Sequence, residues 1–245
     1  MTLNPQSLRT RLLDLASAPY RSVGPFAYRF ARGKLGGDPV FFELLRRGLF
    51  PDRAHILDLG CGQGLLAAWL LAARQLHDSG EWPADWPTPA RPASIRGVEL
   101  LASDVKRAKA AQGAPATFEC GDMRHTDFGQ VDVVVILDVL HYIDIPAQDE
   151  VLRRVVAALP ANGLFLTRVG DASAGLPFQL SNWVDRTVAF FRGNRLPPMH
   201  CRPLPDWIGK LEALGFSVET ATMNGDLPFA NVMLIARLGA SPSGQ

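Results

Sequence analysis

The chain has 245 residues, 25 Lys and Arg against 24 Asp and Glu, and a formal net charge of +1. With 47% hydrophobic and 20% charged residues it is too apolar for a disordered chain. A near-zero charge supplies no global field toward nucleic acid or an anionic membrane.

The elements are read in chain order. The first ~50 residues are helical in pattern, with Leu8, Leu12, Leu13 and Leu15 near helical spacing and a second amphipathic piece at Val40–Leu45. Gly33 to Pro39 reads as a turn between them. A strand at His55–Leu59 runs into Gly60-Cys61-Gly62-Gln63-Gly64, and a helix follows from Leu65. Residues 77–94 hold four prolines and two tryptophans and read as a surface insertion. Ile95–Leu100 is a short strand, Ala102–Ala111 a helix, and Ala116–Cys120 a strand. The nearly continuous β-branched run Val131–Leu137 predicts a strand buried on both faces. A helix over Asp149–Leu159 and a strand over Leu164–Val169 come next. A helix is expected over Phe178–Phe191, then a loop through His200, a helix at Leu204–Leu214, and strands at Phe216–Thr220 and Asn231–Arg237. The tail GASPSGQ has a disordered-type composition. Strands alternating with helices predict an α/β doubly wound parallel sheet with an antiparallel hairpin at one edge.

Three cysteines (Cys61, Cys120, Cys201) are too few for a disulfide framework and point to a reduced, cytoplasmic compartment. The five histidines lack metal-ligand spacing, so no metal is expected. No apolar run reaches bilayer length, and the N-terminus lacks a signal-peptide core.

The glycine loop carries the chemistry. Glycines let a ligand lie against the backbone, and the following helix offers free N–H groups and a positive dipole end. Ligands of open parallel sheets sit beyond the C-terminal strand ends. The dinucleotide fingerprint needs a third glycine where this chain has Leu65, which counts against a nicotinamide-dependent oxidoreductase. Asp58, two residues before Gly60, suits an ammonium or sulfonium better than a pyrophosphate.

His55-Ile56-Leu57-Asp58-Leu59-Gly60-Cys61-Gly62-Gln63-Gly64 resembles motif I of the class I S-adenosylmethionine-dependent methyltransferases. The resemblance implies a Rossmann-like seven-stranded sheet of order 3-2-1-4-5-7-6, the last strand antiparallel. It implies S-adenosylmethionine as cofactor, its methionine part wrapped by Gly60, Cys61, Gly62 and Gly64. It implies a ribose-binding carboxylate at Glu99 with Leu100 beside it, and an adenine-side Asp122 with Met123 on the ring. Leu137 and Asp138, at the end of the fourth strand, complete the implied cofactor set. Asp58 and Glu99 stand 41 residues apart, roughly twice the family interval, and the 77–94 insertion takes up the excess.

The expected organisation is an N-terminal helical cover over 1–50 and a methyltransferase domain over 51–240, with a lid insertion at 170–203 and a tail at 241–245. The sequence Asp138-Val139-Leu140-His141 departs from the tetrapeptide of base-methylating relatives, which with the neutral charge argues against nucleic acid. Phe178, Leu180, Trp183, Val188, Phe190 and Phe191 suggest a small-molecule or acyl-carrier-bound apolar acceptor. The second half also resembles methyltransferases of bacterial aryl-polyene pigment pathways, which implies O-methylation of a phenolic group. A phenol needs a base near neutrality, and His141 and His200 are the candidates. The alternative is a non-catalytic regulator that keeps the fold and binds the cofactor or a partner. The oligomeric state is open.

Overall fold

A computed structural model describes residues 5–170, 199–222 and 231–240. Its seven strands form one mixed sheet of order β3-β2-β1-β4-β5-β7-β6, the order implied above. The chain divides into two compact units, Met1–Thr126 and Asp127–Gln245.

The first unit opens with helices α1 (Pro5–Ser17), α2 (Pro25–Gly37) and α3 (Pro39–Arg46), with a 3-10 turn at Ala18–Arg21. Leu8 and Leu12 turn one face of α1 inward, both fully buried. The expected turn at Gly33–Pro39 is corrected. The helix runs through Gly37, and Asp38 alone breaks it by capping α3 at Val40 N. Ala27, Ala31 and Leu35 are buried at helical spacing, and this packing outweighs the low helix propensity of Gly33, Gly36 and Gly37. Gly36 also lets α1 approach, since a Cβ there would lie 3.1 Å from Leu13 Cδ2.

Strands β1 (His55–Leu59), β2 (Ser94–Glu99) and β3 (Ala116–Cys120) pair in parallel, with Leu59 opposite Val98 and Glu99 opposite Cys120. Helices α4 (Leu65–Asp78) and α5 (Ala102–Ala111) make the crossovers. The Pro/Trp segment packs its tryptophans against the helical cover. Trp82 is 7% exposed and donates from Nε1 to the Pro87 carbonyl at 3.0 Å. Trp86 stacks edge-on against both Trp82 and Phe42 of α3. Four prolines stiffen the segment, so fixing it costs little entropy and its aromatics can be buried. Trp69 of α4 donates from Nε1 to the Phe41 carbonyl at 2.7 Å, which ties α3 to α4.

The second unit holds β4 (Val133–Leu137), α6 (Ile145–Ala158), β5 (Leu164–Gly170), α7 (Leu204–Ala213), β6 (Phe216–Thr222) and β7 (Asn231–Leu238). Val133, Val134, Val135 and Ile136 are all fully buried, as their β-branched run predicts. Strand β4 pairs parallel with β5; β5–β7 and β7–β6 are antiparallel, giving the expected hairpin. Helix α6 starts at Ile145, four residues before the expected Asp149, because Asp144 caps it by accepting from Ala147 N at 2.9 Å. The expected Phe178–Phe191 helix, most of the 170–203 lid and the 241–245 tail lie outside the described residues.

Candidate functional site

In the first unit, β1 delivers Asp58 to the edge of the glycine loop. Gly60, Gly62 and Gly64 take φ of +76°, +55° and +79°, so the chain turns from strand to helix through left-handed conformations that favour glycine. A Cβ on Gly64 would come within 2.7 Å of Phe118, while a Cβ on Gly62 would meet nothing within 4 Å. The backbone at Gly62 therefore borders open space where a ligand could lie.

Asp58 is 5% exposed. Burial, and then the neighbouring Glu99 carboxylate, push its pKa up to about 7, and no donor among the described residues offsets them. An unpaired buried carboxylate is costly unless a cation or donor joins it. Glu99 accepts Gly62 N on Oε2 at 3.0 Å and Leu101 N on Oε1 at 2.9 Å. Each oxygen keeps a further lone pair for a ligand hydroxyl. Cys61 is buried beside them; burial and the two carboxylates hold its thiol well above the usual range, which makes it a filler and no nucleophile.

Strand β3 brings Asp122 next to β2, where Gly121 N donates to the Glu99 carbonyl at 3.0 Å. Asp122 accepts Arg124 N at 2.9 Å and holds the Arg124 guanidinium, which keeps its carboxyl below the usual range. Leu100 is 64% exposed at the rim, and Met123 is half-buried. Asp58, Gly60, Cys61, Gly62, Gly64 and Glu99 are thus brought together, with Asp122 adjoining. Arg32 and Lys34 pair with Asp14 and Asp38 at 2.6 and 2.7 Å within the helical cover.

In the second unit, Leu137 ends β4 and Asp138 follows at φ +60°. Arg168 of β5, 4% exposed, grips the Asp138 carboxylate with Nε and Nη2. His141 lies in a 3-10 turn over Leu140–Tyr142, its ring 4.2 Å from that of Tyr142. Its Nε2 is buried without a hydrogen-bond partner among the described residues. Burial lowers the imidazole pKa, against an opposing pull from Asp138. His200 N donates to the His141 carbonyl at 2.8 Å, so the two candidate histidines meet through the backbone. The buried Gln148 fastens that meeting, donating to the carbonyls of Leu140, Ile143 and His200 and accepting from Arg202 Nε at 2.8 Å.

Sequence reasoning missed Arg168, Gln148, Tyr20 and Gln63. The only sequence signal for Arg168 is a charge inside an otherwise apolar strand. Among the described residues no cluster of three His, Cys, Asp or Glu could hold a metal.

Residues 57–165 match a family model described as a methyltransferase domain, on a sheet of order 3-2-1-4-5-7-6. Over these residues, and in its sheet order, the chain is similar to the class I S-adenosylmethionine-dependent methyltransferases. The chain is 26% identical over 127 residues to a carboxy-S-adenosyl-L-methionine synthase of Campylobacter curvus. That match covers 51% of this chain and 47% of the relative, so the chain spans about half the length of the curated relative it matches. Among solved structures it is similar to magnesium protoporphyrin IX methyltransferase from Synechocystis, determined with bound S-adenosylhomocysteine. There the TM-score is 0.55, the identity 18%, and the coverage 96% of this chain and 100% of the other. It is also similar to an S-adenosylmethionine-dependent methyltransferase from Listeria monocytogenes described as putative, with TM-score 0.58, 19% identity, and coverage of 81% and 96%. At such identities these structures speak for the fold.

Proposed function

We propose that this chain transfers the methyl group of S-adenosylmethionine to an oxygen of a small or carrier-bound apolar acceptor. The observation that carries the cofactor reading is Asp58: a buried carboxylate with no donor among the described residues, beside Glu99 at a glycine loop whose Gly62 borders open space. When bound, S-adenosylmethionine supplies a methyl group already activated on a sulfonium. Asp58 would receive the positive charge of its methionine end. Glu99 would accept the ribose hydroxyls while staying fixed by Gly62 N and Leu101 N. Asp122 and Met123 would border the adenine, with Leu100 at the rim. The family resemblance assigns Leu137 and Asp138 to the cofactor set as well, and Arg168 holds Asp138.

Because the leaving group is preactivated, alignment supplies much of the rate. The acceptor oxygen bonds to the methyl carbon as the carbon–sulfur bond breaks and its electron pair stays on sulfur. The hydroxyl proton passes to a base. His141 Nε2 is the proposed acceptor, because burial lowers its pKa from the ordinary imidazole value, which favours the neutral ring, and that nitrogen has no hydrogen-bond partner among the described residues. His200 is the second candidate. The Synechocystis neighbour acts on magnesium protoporphyrin, a small-molecule substrate, which is consistent with a flat apolar acceptor here.

Calorimetry with S-adenosylmethionine and S-adenosylhomocysteine, followed by turnover on a phenol panel, tests the reading. Binding with turnover is expected. Binding without turnover on any acceptor favours the regulator, and no binding at millimolar cofactor would sink the proposal.

A further inference from the structure

Gln63 stands inside the glycine loop, between Gly62 and Gly64, and is fully buried. Its Nε2 donates to the Ala27 carbonyl of α2 at 2.8 Å. Its own carbonyl accepts the hydroxyl of Tyr20, also fully buried, at 2.8 Å. One loop residue is therefore bonded twice to the N-terminal helices. On its other side the loop is bonded once to the Glu99 carboxylate, through Gly62 N. The peptides between Gly62 and Gly64 are held from both flanks.

This clamp has a physical purpose. Left-handed glycines restrict the backbone little, so an unheld loop would sample many shapes. A ligand would then have to order it on binding, which weakens affinity. Burial favours the neutral phenol of Tyr20, which keeps it a donor to the loop carbonyl. Gln63 Oε1 is buried with no partner among the described residues, an arrangement that stability alone disfavours.

Resting on the proposed cofactor binding, we infer that Tyr20 and Gln63 are positioning residues. They hold Gly60–Gly64 in its cofactor-receiving shape by clamping it to the N-terminal cover. Neither touches the cofactor in this scheme. The cover contributes to affinity through the loop.

The test uses the full chain with Tyr20→Phe, which keeps the ring, and Gln63→Met, which keeps the volume. Arg11→Ala is the control, because it cuts a different tie of the cover, the Arg11–Glu81 pair at 3.1 Å. Each clamp variant should bind S-adenosylhomocysteine about five- to tenfold more weakly at 15 °C, as loss of one hydrogen bond predicts. The double variant should lose less than the product of the two, since both act on one loop. Arg11→Ala should bind as wild type does. In the free protein, amide hydrogen exchange over residues 60–64 should speed up about tenfold in both clamp variants, with β2 unchanged. A merely structural role would lower the melting temperature and leave affinity and local exchange untouched. Wild-type exchange at 60–64 in both variants, or equal weakening by Arg11→Ala, overturns the inference. Should the wild-type chain itself bind no cofactor, the functional reading falls, and the exchange data decide the clamp alone.

Discussion

Asp58 concentrates the electrostatics of the site. Burial and Glu99 raise its pKa to about 7, so in the free protein it is neutral below that pH and charged above it. Cofactor binding calls for the charged form. The free protein holds a competing proton at low pH, so S-adenosylhomocysteine should bind about tenfold tighter at pH 8 than at pH 6. Calorimetry in buffers of different ionisation heat would show the proton released. The stability sign runs the other way. A raised folded-state pKa gives stability that is present below the unfolded value and lost as pH rises through about 7. Asp58→Asn removes that loss, so its melting temperature relative to wild type should climb between pH 5 and pH 8. Its cofactor affinity should fall about 10- to 100-fold, the worth of a charge-assisted hydrogen bond. The lowered pKa of His141 leads to a separate expectation. With cofactor and acceptor saturating, the acid limb of kcat should lie below the ordinary imidazole value of 6.5. His141→Gln should abolish that limb and cost about 10²- to 10⁴-fold in kcat. A pH–rate profile with an unchanged acid limb in the variant removes His141 as the base.

Among the elements, the N-terminal helices and the Pro/Trp segment depend on each other. Trp86 lies between Trp82 and Phe42, and Glu81 holds Arg11 of α1. The segment that reads as an insertion is the brace for the cover. Trp82→Ala should cost about 3–5 kcal/mol, the usual range for a buried aromatic truncated to alanine. A denaturation midpoint within error of wild type would contradict that packing. At the start of α6, Asp144→Ala removes the cap bond to Ala147 N and should cost about 1 kcal/mol. These two sites differ in how well local sequence announces them. Asp144-Ile145-Pro146 has the Asp and early Pro of a helix start, whereas nothing near Trp86 announces its contact with Phe42, far upstream in the chain.

At the scale of the whole molecule, the cover completes the hydrophobic core of the first unit. Leu8, Leu12, Tyr20, Val40 and Leu44 are all fully buried, and Trp69 of α4 hydrogen-bonds to Phe41. A chain beginning at residue 51 should therefore lose its cooperative melting transition and bind a hydrophobic dye; a sharp melt would show that the remainder folds alone. What the sequence determined by itself was whatever is local in period and in turn chemistry. The buried β-branched run of β4, helix α5, strand β3 and the glycine loop after Asp58 all follow from spacing, because strand pleat, helix pitch and positive φ are set by near neighbours. The order of the sheet followed from resemblance to a family, not from spacing. Only the tertiary structure decided that Gly33–Gly37 is helical, that Trp82 is buried, that Arg168 holds Asp138, and that Tyr20 fastens Gln63. Each of these rests on groups far apart in the chain. The energies that settle them, desolvation, packing and charge pairing, act through space and leave no period in the sequence.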